Sequence, residues 1–197
     1  VTKYVEDAIK ETAYGCKVKS FSVENFTTGQ LATMKFGIEG LNFGRALEAP
    51  SVTPSFSTSE TPVILDACIY QDGVEIRIND FTLSVENTLG FIQDTCDGKS
   101  SSRVTARVVS GSINPYKLSD DLSAWNNFNA NTPFSLFISA HNPTATGEFA
   151  NSVSFYLPYC VATEVAEGDK DGVLLNDIKF SANTEDGTLS ELYVTMS

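Results

Sequence analysis

Residues 78–87 (INDFTLSVEN) alternate apolar and polar side chains along most of their length. Alternation with a period of two is typical of a β-strand that buries one face and leaves the other in water. Ile76 and Ile78 share one parity, whereas the apolar residues from Phe81 onward hold the other. This change of parity at Asn79–Asp80 predicts a β-bulge or a bend within the strand.

The last four residues of this stretch, SVEN at 84–87, also occur at 22–25. Each copy ends a strand-like run, 18–23 in the first case and 76–85 in the second. Turn residues and another strand-like run follow each copy, at 31–39 and at 103–113. A degenerate third copy at 178–183 leads into a last run at 189–196. A recurring strand–turn–strand unit that shares no catalytic residue indicates a chain selected for its architecture.

Further alternating runs predict strands at 134–138, 153–157, 178–182 and 192–196. Asp-Gly dipeptides predict turns at 72–73, 97–98, 171–172 and 186–187. In the run 31–39, Met34, Phe36 and Ile38 point the same way. We expect them, like most of the phenylalanines, to pack in the core. The chain is therefore predicted to be mainly β.

Two segments have helical spacing. Residues 3–12 place Val5, Ala8 and Ile9 on one side, which predicts a short amphipathic helix. Residues 120–127 predict a second helix, with Ser119 as its N-cap and Trp125 in its apolar stripe.

Residues 44–62 contain three prolines and seven serines or threonines, but few apolar side chains. Such a composition does not support a packed core and predicts an extended loop or arm. Two interpretations stay open: a linker between hairpins, or an arm that becomes ordered on a neighbouring subunit.

The net charge of −12 makes sequence-specific binding of nucleic acid improbable, because an acidic surface repels the phosphate backbone. No run approaches the roughly 20 apolar residues of a membrane-spanning helix, so no membrane partner is expected. The four cysteines are widely spaced and form no metal-binding pair. We expect small buried thiols, with one or two disulfides left open: Cys16, Cys68, Cys96 and Cys160.

No residue pattern indicates an active site, a metal or a cofactor. His141 is the only histidine, and no nucleophile motif accompanies it. Residues 169–172 (DKDG) faintly resemble a calcium-binding loop, but Val173 stands where another ligand would be needed. We expect a solvated hairpin turn there and no catalysis.

Taken in order, five segments resemble those of bacteriophage tail tube proteins, the subunits that build the tube of long-tailed phages. They are the strand 78–87, the return strand 107–113 (RVVSGSI), the helix 120–127 before the strand 134–138, residues 155–158 (FYLP), and the turn 168–172 (GDKDG). No single motif is diagnostic, because the family is recognised by the order of these elements.

The resemblance implies a β-sandwich or half-barrel with long hairpins and one flanking helix, as a single domain over residues 1–197. It implies a non-enzymatic virion protein that forms six-membered rings, which stack into the tail tube and contact other tail proteins. Assembly is expected in the host cytoplasm, with a closed β-barrel in each ring. Double-stranded DNA would then pass through an acidic lumen during ejection without specific binding.

The polar parity of the predicted strands supplies candidates for the lumen or for a subunit interface. These candidates are Lys35, Glu39, Thr82, Ser84, Glu86 and Arg107.

Two other functions remain as alternatives. One is a related virion or secretion-tube component, such as a tail terminator or a capsid-decorating domain. Tail terminators and capsid-decorating domains do not polymerise, so ring stacking separates them from a tube subunit. The other is a glycan-binding β-sandwich, or a hydrolase with an unrecognised site.

Overall fold

The computed structural model describes residues 1–5, 9–27, 30, 32–51, 66–96, 98–117, 122–141, 152–184, 187 and 190–196. Over these residues the protein is mainly β with one short helix, as predicted. The helix is α1 (Ser123–Asn129). The strands are β1 (Thr2–Val5), β2 (Ile9–Tyr14), β3 (Lys17–Thr27), β4 (Thr33–Glu39), β5 (Asn42–Leu47), β6 (Asp66–Gln71), β7 (Val74–Ile76), β8 (Ile78–Asp94), β9 (Gly98–Pro115), β10 (Phe134–His141), β11 (Val153–Lys170), β12 (Val173–Ala182) and β13 (Tyr193–Met196).

The described strands form two sheets. β1, β2 and β5 make a small antiparallel sheet with β2 in the centre. The remaining ten strands make a large sheet in the order β4-β3-β8-β9-β12-β11-β10-β6-β7, and β13 pairs with β11 beside that path. Among the described residues β4 and β7 end this order as edges, so the large sheet is open.

The chain divides into two compact units. The first contains residues 1–21, 36–60 and 86–107, and the second contains residues 22–35, 61–85 and 108–197. The four strands β3, β4, β8 and β9 each contribute residues to both units.

The second unit contains the core of a β-sandwich. The ring of Phe155 on β11 lies 6.3 Å from that of Phe81 on β8 and 6.4 Å from that of Phe26 on β3. Strands that are distant in the sheet order therefore face each other across an apolar layer. Fully burying one such side chain contributes about 1.5–3 kcal/mol. The largest fully buried residues are Phe81, Leu83, Ile113, Leu136, Ile138, Phe155, Leu157 and Phe180.

Two of the predicted Asp-Gly turns are confirmed. Asp72 and Gly73 have φ of 52° and 77°, and they join β6 to β7. Asp171 and Gly172 have φ of 54° and 82°, and they join β11 to β12. Two successive positive φ values match the right-handed twist of paired strands, which is why Asp-Gly suits these turns. The DKDG segment is thus a hairpin turn, as expected.

The helix predicted over residues 3–12 is wrong. In this segment residues 3–5 belong to β1 and residues 9–12 to β2, and the two strands pair antiparallel, with Thr2 opposite Thr12 and Val5 opposite Ile9. These four residues are β-branched and favour strands. β2 also pairs with β5 along its whole length, so inter-strand hydrogen bonds outweigh a weak helical spacing.

Three further differences concern strand boundaries. The strand break near residue 79 falls at Arg77, between β7 and β8. β11 continues to Lys170, well beyond the predicted end at residue 157. β13 pairs with β11 rather than β12, so the third copy of the repeat is not a simple hairpin.

The second predicted helix is present as α1, but it begins at Ser123. Its N-cap residue Leu122 makes no side-chain capping bond, and none of the seven helical residues is buried. Ser119, the predicted cap, lies outside the described residues. Of the predicted arm 44–62, residues 44–47 belong to β5, and residues 52–62 lie outside the described part.

Candidate functional site

The middle of β9 is exposed on both faces. Six consecutive residues, 103–108, are exposed in this strand. Since successive side chains of a strand point to opposite faces, one parity presents polar groups and the other presents apolar groups. The polar parity carries Arg103, Thr105 and Arg107, and the apolar parity carries Val104, Ala106 and Val108.

From residue 109 onward, the parity of β9 that was polar and exposed becomes apolar and partly buried. Val109 and Ile113 are buried, although they share the parity of Arg107. Ser110 and Ser112 share the parity of exposed Val108. A single polar parity along the whole strand, which the sequence prediction assumed, therefore does not exist.

In the first unit, Glu39 and Glu86 line the same open cleft of about 590 Å³, together with Lys19. Lys19 Nζ lies 3.1 Å from a carboxylate oxygen of Glu39. Arg107 Nε donates a hydrogen bond of 3.3 Å to Oδ1 of Asn87. Because Asn87 and Glu86 are adjacent in β8, Arg107 lies on the face opposite to Glu86. The structure thus brings two of the six candidates together and separates Arg107 from them.

In the second unit, Thr82 and Ser84 are half-buried on one parity of β8. The hydroxyls of Thr82 and Ser112 are 2.7 Å apart, so these two residues share a face. Exposed Lys35 pairs with Glu24 on β3. The hydrogen bond and charge of Lys35 hold the pKa of the Glu24 carboxyl below its usual range.

Several large apolar residues that the alternation assigned to the core are exposed. Phe36 is 57% exposed and Ile38 is also exposed, so the prediction that they are core residues is wrong. On β5, Phe43 and Leu47 are exposed on one face of the small sheet, and Leu47 reaches 89%. Their alternation does mark β-strands, but it cannot tell a buried face from a face that a single subunit leaves open.

The prediction of buried thiols holds for Cys160 and fails for Cys96, which is exposed. Burial raises the pKa of the Cys160 thiol to about 12, with a smaller contribution from the charge of Asp72. The side chains of Cys68 and His141 lie outside the described part of the structure.

Within the described ranges, no three His, Cys, Asp or Glu side chains are grouped so that they could hold a metal ion. No helix among the described residues is long and apolar enough to cross a membrane. The notable surface features are therefore the two open faces of β9, the cleft with Glu39 and Glu86, and the exposed apolar residues of β4 and β5.

Comparison with known proteins gives one match. A family model described as phage tail tube protein matches residues 1–182 of the 197. The matched range ends with the last residue of β12, so it includes α1 and every described strand except β13. No curated protein matches the chain.

Proposed function

The chain belongs to the phage tail tube protein family, and on that premise we propose that its copies close into six-membered rings that stack into a tube. The protein is a structural component of the phage tail. The family is generally non-enzymatic, and we propose no catalytic activity for this member. Its role is to form the wall of the conduit through which the phage DNA leaves the virion.

The exposed apolar parity of β4 is the observation that best supports self-assembly. Phe36 and Ile38 are open to water on this strand, which is an edge of the large sheet. A half-exposed Phe or Ile side chain forgoes part of the roughly 1.5–3 kcal/mol that full burial would supply. A neighbouring copy that covers this parity would recover that free energy.

The open edges of the large sheet also favour a ring. An edge strand presents unpaired N–H and C=O groups, which pair readily with another strand. Closing copies of the subunit into a ring continues the sheet from one copy to the next and leaves no edge. We propose that this closure forms a β-barrel and that all 197 residues act as one assembly domain. The segment 44–62 extends from that domain as an arm.

We assign the lumen to the polar parity of β8, which carries Thr82, Ser84 and Glu86. This parity lies opposite the buried residues Phe81, Leu83 and Val85, so it points away from the sandwich core. We assign Glu39 to the lumen as well, because it shares a cleft with Glu86. Lys35 and Arg107 are assigned to subunit interfaces. The acidic wall would let DNA slide, since like charges prevent adhesion.

The proposed partners are further copies of the chain, other phage tail proteins, and DNA in transit. Assembly takes place in the host cytoplasm. The net charge of −12 keeps the unassembled subunit soluble and away from nucleic acid.

Negative-stain electron microscopy of the purified chain over a concentration series tests the proposal. Six-fold rings or tubes with a central channel are the expected result. Rings that never stack would instead indicate a tail terminator. A chain that stays monomeric at every concentration, also when mixed with the phage's other tail proteins, would overturn the proposal.

A further inference from the structure

A cavity of about 310 Å³ lies in the second unit, between β7, the end of β9, α1 and β12. Glu75, Arg77 and Lys117 contribute polar groups to its lining, and Ile178 contributes an apolar wall. Ser123 and Asn127 of α1 line another side. This volume accommodates a protein side chain, and the lining combines apolar surface with polar groups that can orient it.

Asn176 on β12 lines this cavity and is 7% exposed. Its Oδ1 has no hydrogen-bond partner among the described residues. A buried acceptor without a donor destabilises the folded chain, so such groups usually have a partner supplied by water, ligand or another chain. The Oδ1 atom of Asn176 is therefore available to accept a hydrogen bond in this cavity.

Exposed apolar residues adjoin the lining residues in sequence. Val74 precedes Glu75, and Leu174 lies two positions before Asn176 in β12. Leu122 precedes Ser123 and is 58% exposed. None of the residues of α1 is buried, although a helix of seven residues depends on tertiary packing for its stability. Exposed apolar side chains so close along the chain to the lining of a pocket favour a protein–protein contact at this surface.

We propose that this cavity is a socket for one uncharged hydroxyl or amide side chain from a second copy of the chain. The inserted group donates a hydrogen bond to Oδ1 of Asn176, while Leu122 and Val74 pack against the second copy. The inference rests on the proposed self-assembly and names a contact within it.

Charge favours a second copy as the occupant. Each copy carries a net charge of −12, so two copies repel one another least where the surface that they share has no excess of negative charge. Arg77 and Lys117 offset the carboxylates of Glu75 and Glu167 at this cavity, so its surface has no such excess.

Charge also favours an uncharged inserted group. Lys117 is already paired with Glu167 at 2.9 Å, and Glu75 and Arg77 have opposite charges. The lining therefore offers no net charge to balance a buried ion, whose desolvation would be costly. A hydroxyl or amide donor avoids that cost.

Asn176→Leu tests the socket, because it removes the acceptor and nearly preserves the size of the side chain. The melting temperature of the isolated subunit should stay the same or rise, since the unpaired acceptor is gone. The protein concentration at which rings and tubes appear should rise roughly tenfold, the effect of losing about one buried hydrogen bond. Asn183→Leu makes the same change at an exposed position just after β12 and should leave both quantities unchanged.

Leu122→Glu supplies a second variant that does not depend on the buried site. It should leave the melting temperature unchanged and raise the assembly concentration at least as much as Asn176→Leu. If wild-type rings form and both variants assemble at the wild-type concentration, the socket is overturned while the tube function stands. A wild-type chain that never assembles overturns both. A small molecule retained by the purified subunit in native mass spectrometry would also overturn a second copy as the occupant.

Discussion

The ring of Phe21 on β3 lies 5.0 Å from the ring of Phe36 on β4, at an interplanar angle of 38°. Phe21 is 9% exposed, whereas Phe36 is 57% exposed. The ring of Phe36 therefore covers the ring of Phe21, while the outer face of the Phe36 ring stays exposed to solvent. Such a ring contributes little to the fold of one subunit, and it offers apolar surface to a neighbour.

Phe36→Ala should lower the free energy of unfolding of the isolated subunit by no more than about 1 kcal/mol, since most of this side chain is exposed. Phe81→Ala is the matched control in the sandwich core. Loss of that fully buried ring should cost about 3–5 kcal/mol. Urea denaturation of both variants measures the difference, and equal losses would contradict the peripheral role of Phe36. Ring formation by Phe36→Ala should need a higher protein concentration.

Gly111 on β9 leaves no room for a side chain. A Cβ at this position would lie 2.3 Å from the backbone oxygen of Thr82 and 2.6 Å from Cζ of Phe180. Backbone atoms cannot move aside cheaply, so Gly111→Ala should destabilise the subunit by about 1–3 kcal/mol or more. Ser110→Ala, next to it, adds no atom and should change the unfolding free energy by less than about 1 kcal/mol. A thermal melt in which both variants match the wild type would refute the close packing of β8, β9 and β12 here.

The sequence predicts the β class, most strand positions and the Asp-Gly turns, because these features depend on short-range alternation and turn chemistry. It mispredicts residues 3–12 because the partner that makes Ile9 a strand residue is Leu47, far along the chain. It also mispredicts Phe36, which occupies an apolar position of an alternating strand although the face it lies on is open in one subunit. The six lumen or interface candidates lie on different faces for a related reason. Arg107 and Val109 have the same parity but opposite burial, and sequence alternation carries no information about where a face leaves the core.

The pair of Lys35 and Glu24 gives a pH-dependent contribution with a defined sign. The pKa of Glu24 is lowered in the folded chain, so its stabilising effect is present above the unfolded pKa. That effect is lost as the pH falls through the folded pKa. Lys35→Met should raise the pKa of Glu24 toward its ordinary value, as followed by NMR titration of the carboxyl carbon. Lys19→Met, which removes the partner of Glu39, should leave that titration unchanged. If the pKa of Glu24 is the same in Lys35→Met as in the wild type, the coupling of the two side chains is disproved.

Cys160 should be inert toward thiol reagents in the folded protein. The thiolate is the reactive form, and burial raises the pKa of this thiol to about 12. Exposed Cys96 is the internal control and should react first with iodoacetamide at pH 8. Peptide mapping by mass spectrometry should find Cys160 modified only after unfolding in urea. The raised pKa also means that stability falls as the pH rises above the ordinary thiol value of about 8.5. Rapid native labelling of Cys160 would show that β11 opens readily.

Glu86 tests the proposed lumen, because it is exposed and lies on the polar parity of β8. In phage particles, Glu86→Lys should slow DNA ejection, since a cation on the wall pairs with passing phosphates. Glu86→Gln should have a smaller effect, and Glu86→Asp, which keeps the charge, should eject at the wild-type rate. The delay should shrink as salt is added, because counterions compete for the phosphates. Ejection can be followed by the fluorescence of a DNA-binding dye after receptor or detergent triggering. If tubes form normally and all three variants eject alike, Glu86 does not face the lumen, and the opposite face, which carries Arg107, becomes the candidate wall.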